Sequence, residues 1–436
     1  MLPTNTLKGF RDYPPSAMLA REALIATARD VYRSFGFAPI DTPALEHLEV
    51  LKGKGSDETD KELYHFTDNG GREVGLRFDL TVPFARFAAK HVPELGTPFK
   101  RYHIATVWRG EKPQKGRYRE FMQCDFDTIG TTSNAADIET LLVIHELLLA
   151  TGFEDFTVRV NNRKVLTGLL EKIGLSESTT AVLRSLDKLA KIGPEKTIAE
   201  MVRTAGATEQ QAKDVLEMVT ADGDDDAVLQ QLEKLLAGNE TGEEGVSQLQ
   251  ELLTTAKKAG VPQERVALDI SIARGLDYYT GTIYETFLGA LPGIGSVCSG
   301  GRYDNLTGMF TKQALPGVGA SLGLDRLLAA MEELKMLDTR STPADIFIPF
   351  FDKTRLADYH ALAATLRQEG FSVEVYPEPK KLGKQLAYAD KRGYRVAIVC
   401  GSDEFESSTC TVKDLTKGEQ ASIPTSDVPE KLRTIL

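Results

Sequence analysis

The densest set of chemically capable side chains lies in Arg109-Gly110-Glu111-Lys112-Pro113-Gln114-Lys115-Gly116-Arg117-Tyr118-Arg119-Glu120-Phe121-Met122-Gln123. A strand-like run, Tyr102 to Trp108, enters it, a Pro/Gly loop carries the cations, and Arg119, Phe121 and Gln123 alternate on the way out. On such a hairpin Arg109 can meet a phosphate bidentately, Phe121 offers an aromatic face, and Gln123 offers an amide that both donates and accepts. The plainer alternative is a solvated cationic ribbon.

Two further stretches carry polar chemistry. Arg274-Gly275-Leu276-Asp277-Tyr278-Tyr279 combines a cation with two phenols. On a regular strand Arg274, Leu276 and Tyr278 would face one way and Tyr279 the other, so Arg274 and Tyr279 share a pocket only through a local irregularity. Gly317-Val318-Gly319-Ala320-Ser321-Leu322-Gly323 approximates a dinucleotide fingerprint. Its third glycine comes one place late, however, and Pro316 stands where a buried strand should lead in. No Gly-x-x-x-x-Gly-Lys-[Ser/Thr] loop occurs, which excludes a P-loop.

These groups must be held by a sizeable scaffold. The chain has 436 residues, 42% of them hydrophobic, enough for two to four domains. Cys124, Cys298, Cys400 and Cys410 are widely spaced, with no Cys-x-x-Cys pair, so neither a disulfide framework nor a zinc site is indicated. The residues after Met1 have neither an apolar core nor an Arg-rich amphipathic stretch, and the apolar run Leu141 to Ala150 is broken by His145 and Glu146. A soluble, cytoplasmic protein without a membrane partner is expected. The net charge of -11 opposes general polyanion binding, so a nucleic-acid partner would need a local basic patch. Lys100, Arg101, His103, Arg109, Lys112, Lys115, Arg117 and Arg119, against Glu111 and Glu120, form the one candidate.

Three zones follow. To about Phe153, strand-like runs such as Phe37 to Ile40 alternate with helical ones such as Ala17 to Phe35, predicting mixed α and β with an antiparallel sheet. From about Asn161 to Val266 the chain reads as a polar helical insertion, with breaks at Gly174, Gly193-Pro194, Gly206, Asp222 to Asp226 and Gly260 to Pro262. Sheet-type sequence returns from Ala267 to Phe287, and Asp338 to Pro343 reads as a linker. Beyond it, strand Asp345 to Phe351, helix Arg355 to Glu369, strand Phe371 to Tyr376, a basic helix near Lys380 to Arg392 and strand Arg395 to Cys400 predict a small α/β domain. Leu356, Tyr359, Leu362, Ala363 and Leu366 share one face of its first helix.

Arg109, Glu111, Arg117 and Phe121 fit the Arg-x-Glu, loop, Arg-x-x-x-Phe motif of class II aminoacyl-tRNA synthetases. Gly319 to Arg326 resembles the third motif of that class, and Ala23 to Pro43 the weaker first one, a helix, strand and proline at a dimer seam. Lys8 to Asp12, Arg77 to Pro83, Arg274 to Gly281 and Ser299 to Asp304 together resemble the histidyl-tRNA synthetase family along essentially the whole chain. Asn305, where the family usually has glycine, and Asp79, where some relatives carry Glu, depart from its pattern.

The resemblance implies an α+β fold with a class II antiparallel-sheet catalytic domain over 1–337, split by the helical insertion at about 161–266. An anticodon-binding α/β domain over 344–436 would follow. It implies ATP-dependent activation of L-histidine, transfer to tRNA(His), Mg2+ accompanying ATP as substrate, and a homodimer. Arg109 would bind the α-phosphate, Arg326 the terminal phosphates, and Arg274 would stand beside the reacting carboxylate and phosphate. Phe121 would stack on adenine, with Glu111 at its amino group and Arg117 completing the nucleotide site. Asp79, Thr81 and Gln123 would hold the histidine amino group, and Asp127 and Tyr279 its imidazole, with Tyr278 beside them. No resident metal ligand is implied. A silent regulatory paralogue, the other reading of this fold, would lack the C-terminal domain and the Arg274 segment.

Overall fold

A computed structural model describes residues 2–52, 61–186, 188–220, 223–272, 278–338 and 340–436. They group into two compact units, residues 1–11 with 24–335, and residues 12–23 with 336–436.

The first unit is built on eight strands: β1 (Ala38–Pro39), β5 (Phe99–Trp108), β6 (Glu120–Ile129), β7 (Phe156–Asn162), β8 (Val266–Leu268), β9 (Thr282–Leu288), β10 (Cys298–Tyr303) and β11 (Gly317–Gly323). Their order across the sheet is β1-β5-β6-β11-β10-β9-β7-β8. Every central pairing is antiparallel, and only the outermost pairs, β1 with β5 and β7 with β8, are parallel. The hairpin anticipated around Arg109 to Arg119 joins β5 to β6, whose register sets Trp108 opposite Glu120 and Arg101 opposite Asp127.

A smaller antiparallel sheet places β4 (Glu73–Leu76) between β2 (Leu45–His47) and β3 (His65–Thr67). Helix Asn134–Ala150 covers the large sheet with Leu141, Val143, Ile144, Leu147 and Leu148, all fully buried. Burying a side chain of this size stabilises the fold by roughly 1.5 to 3 kcal/mol.

Between β7 and β8 the described part of the chain forms a series of helices, the first Arg163–Lys172 and the last Glu240–Lys258. Its polar residues act as stops and starts. Gly206 closes helix Pro194–Ala205 in the left-handed conformation, Thr208 and Gln211 form a capping box on Glu209–Val219, and Asp224 and Asn239 cap the last two helices.

The second unit carries a five-stranded sheet ordered β13-β12-β14-β15-β16: β12 Ile346–Ile348, β13 Val373–Val375, β14 Val396–Val399, β15 Thr409–Asp414 and β16 Gln420–Pro424. The first three are mutually parallel and the last two antiparallel, so the expected α/β alternation ends in a hairpin. Helix Leu356–Gln368 buries Tyr359, Ala363 and Leu366, whereas Leu356 is exposed because it opens the first turn, beyond the reach of the core. All four cysteines are buried and none forms a disulfide. Among the described residues no helix is long and apolar enough to cross a membrane.

Candidate active site

Alternation along β6 puts Phe121, Gln123, Asp125 and Asp127 on one face. Neighbouring strands extend each into a row: Asp127 lies between Arg101 and Gly319, Asp125 between His103 and Ser321, and Gln123 between Ala105 and Gly323. Gly319 permits this, since a Cβ there would stand 2.3 Å from Asp127 Oδ1. Gly301, opposite Gly319 on β10, makes room in the same way for the Tyr279 ring.

The result is a recess of about 240 Å3, mouth included, lined by Thr81, Asp125, Asp127, Tyr278, Tyr279 and Tyr303, with Ser299, Ser321 and small residues of β10 and β11. Tyr278 and Tyr279 precede β9 instead of lying on it, so strand alternation does not apply, and both line the recess. Tyr278 and Thr81 hydrogen-bond through their side chains.

The acids are arranged for a cationic or N–H-rich ligand. Asp79 is buried just before helix Thr81–Leu95, where Oδ1 accepts from the Val82 N–H at 3.1 Å. Its Oδ2 has no partner. Gln123 donates to Ser321 Oγ at 2.9 Å while its Oε1 is unmatched, and Ser321 in turn bonds Asp125, whose Oδ1 is also unmatched. Asp127 accepts from Tyr303 Oη at 2.7 Å and lies 2.6 Å from Arg101 Nη2. Buried acceptors without donors are costly, and a ligand N–H relieves them.

Burial also raises the affinity of these carboxyls for protons. It lifts Asp79 to about 6 against the Val82 N–H, Arg109 and Arg101, and Asp125 to about 7 against Arg101. Asp127 is raised by the same cause, opposed by Arg101 and the Tyr303 hydroxyl. His103 is driven the other way, to about 4, by burial and then by Arg101 and Arg77. It is therefore neutral at pH 7, with Nε2 2.9 Å from Asp41 Oδ1.

The nucleotide candidates gather at the hairpin end of the same face. Arg109 donates from Nε to Phe78 O at 2.9 Å, and its guanidinium lies 5.2 Å from the Phe121 ring centre. Arg117 pairs with Glu111 at 3.3 Å. Arg326, on helix Leu324–Glu333, bonds Ser296 O, and the hairpin loop passes over it at Gly116. Phe121 and Asp127 are six residues apart on one strand, about 20 Å at the rise of a strand. A nucleotide and a small amino acid fit end to end on this track.

The expected basic patch breaks up. Arg101 and His103 are buried and Lys100 is tied to Glu139 and Phe35 O, so the basic run from Lys100 to Arg119 is no continuous surface patch. Its first part belongs to strand β5 and faces inward. Arg274 lies outside the described residues. Sequence reasoning also missed Arg101, Asp125, Tyr303 and Ser321; alternation on β6 between Gln123 and Asp127 was the signal for Asp125.

An antiparallel sheet with an Arg/Phe-bearing hairpin at one end and a glycine-backed acidic recess beside it defines a class II aminoacyl-tRNA synthetase fold. Residues 9–327 match the family model described as histidyl-tRNA synthetase, and residues 347–435 match an anticodon binding domain. The chain is 62% identical over 423 residues to a histidine–tRNA ligase of Rhodopirellula baltica, spanning 97% of this chain and 96% of that one. A Wolinella succinogenes histidine–tRNA ligase is 45% identical, covering 96% of both. The crystal structure of histidyl-tRNA synthetase from Nostoc sp. superposes with a TM-score of 0.91 at 37% identity, covering 100% of both chains. The chain belongs to the histidyl-tRNA synthetase family.

Proposed function

We propose that the chain is a histidine–tRNA ligase whose amino-acid site is the acidic recess and whose ATP site is the β5–β6 hairpin. It activates L-histidine with ATP, releasing pyrophosphate, and transfers the histidyl group to tRNA(His). The observation that carries the site reading is the row of unmatched buried acceptors, Asp79 Oδ2, Gln123 Oε1 and Asp125 Oδ1, at one end of a track that has arginines at the other.

In the first step a histidine carboxylate oxygen bonds the α-phosphorus and the bond to pyrophosphate breaks. Both reactants are anions, so the protein's task is orientation and cationic stabilisation, with no covalent nucleophile. Arg109 is assigned to the α-phosphate, Arg326 and Arg117 to the outer phosphates and nucleotide edge, Phe121 and Glu111 to adenine, and Arg274 to the reacting oxygens. Asp79, Thr81 and Gln123 take the α-ammonium. Asp127 and Tyr279, flanked by Tyr278, give the two imidazole nitrogens polar partners. In the second step a terminal ribose hydroxyl of the tRNA attacks the acyl carbon and AMP leaves.

Mg2+ enters with ATP, as part of that substrate, on phosphate oxygens. We assign the catalytic domain to 1–337, with the insertion at about 161–266, and tRNA anticodon binding to 344–436, where exposed Lys381 and Lys384 suit backbone phosphates. Family membership supports a homodimer working in the cytoplasm. Histidine-dependent ATP/pyrophosphate exchange tests the reading: exchange with histidine and with no other amino acid is expected, and its absence in folded protein rejects it.

A further inference from the structure

Among the described residues Arg101 is the bulkiest fully buried side chain, at 0% exposure, and it does not line the recess. It stands directly across from Asp127 in the β5–β6 register, with Nη2 2.6 Å from Oδ2. The other oxygen of Asp127 accepts from Tyr303 of β10, whereas Oδ2 faces Arg101 as an ion pair without an aligned hydrogen bond. The Phe84 ring lies 4.3 Å from the guanidinium carbon and fixes the arginine in turn. Nε and Nη1 of Arg101 have no partner, and Nη2 also reaches Leu80 O at 3.5 Å, so Asp127 is, among the described residues, the one acid in contact with its charge.

We propose that Arg101 is a positioning residue for amino-acid selection: without touching histidine, it sets the place and orientation of the Asp127 carboxylate that meets the imidazole. This rests on the site reading above. A buried ion pair is a poor device for stability alone, because an apolar pair of the same volume serves the sheet as well or better. Kept at the wall of a recess, it gives a carboxylate one fixed direction, which a ring with two distinct nitrogens requires. Arg101 also opposes the burial-driven proton affinity of Asp127, which keeps that carboxylate an acceptor for an imidazole N–H.

A double-mutant cycle on the full-length enzyme tests this, with Arg101→Lys, Arg101→Met and Asp127→Ala read by histidine KM, ATP KM and kcat of pyrophosphate exchange. Arg101→Met should raise histidine KM about 10-fold or more, the scale for losing one close charged partner, with ATP KM near wild type. Arg101→Lys, which keeps the charge but loses the planar fork, should recover part of that loss. In the Asp127→Ala background neither change should weaken histidine further. If Arg101→Met fails to fold, Arg101→Lys carries the cycle. Additive losses, or equal losses for histidine and ATP, overturn the positioning role. An Asp127→Ala enzyme with wild-type histidine KM rejects the site reading itself, a distinct outcome.

Discussion

Arg11 reaches Asp325 at 2.9 Å, and the other oxygen of that carboxylate accepts the Met122 N–H at 2.7 Å. The same guanidinium donates to Tyr118 Oη at 2.9 Å and lies 4.1 Å from the Tyr118 ring centre. Residues from the N-terminal segment, the hairpin and the helix after β11 are thereby locked around the nucleotide end of the site. The Lys8 to Asp12 stretch thus has a mechanical role that its resemblance to the family did not specify.

Arg11→Ala should therefore loosen the hairpin against Arg326. One charge-assisted bond to a buried carboxylate is worth roughly 1.5 to 3 kcal/mol. The loss should fall on ATP KM and on kcat, with histidine affinity near wild type. A histidine-selective defect, measured by equilibrium binding of each substrate, would contradict this arrangement.

Asp125 makes a pH-dependent claim. Its carboxyl is raised from 3.8 to about 7 in the fold, chiefly by burial. Below about pH 4 folded and unfolded chains both hold the proton; as the pH rises towards 7 the unfolded chain ionises first and the fold loses stability. Asp125→Asn should make the ligand-free protein more stable than wild type at pH 8, by on the order of 2 to 4 kcal/mol, with the gap closing towards pH 4. Urea titrations at several pH values check the sign. A gap that widens on acidification would show that Asp125 is a stabilising anion.

Arg274 is assigned on family resemblance to charge that develops between carboxylate and α-phosphate. Losing one preorganised donor of this kind costs about 2.7 to 4 kcal/mol in the transition state. Arg274→Ala should slow pre-steady-state adenylate formation by more than it weakens histidine binding, and Arg274→Lys should restore only part of the rate. Wild-type adenylate formation in Arg274→Ala would refute the role.

The fold class was legible because the sheet and helix periods are strong, and β5, β6 and the helices Leu356–Gln368 and Leu382–Arg392 fall close to their expected spans. Chemistry written in local order, such as Arg109 to Gln123, was also legible. Contributions that depend on register were not. Arg101 reads as one more cation in a basic run until strand pairing sets it against Asp127. Tyr278 and Tyr279 read as strand residues, although the strand begins only at Thr282. β15 and β16 escaped because their short alternation lies among polar residues, with Cys410, Val412 and Asp414 turned inward.

The pairing of β6 with β11 has a consequence for biosynthesis. Gln123 leaves the ribosome 200 residues before Gly323, the residue it pairs with. At about 5 to 20 residues per second, the edge of β6, with its buried acids, waits on the order of 10 to 40 s for its neighbour. Through that interval the nascent chain has half a binding site and an open strand edge, the kind of surface that pairs with other chains. Substrate binding cannot rescue the nascent chain before β11 is made, so the helices between β7 and β8 are synthesised while the centre of the protein is still unfinished.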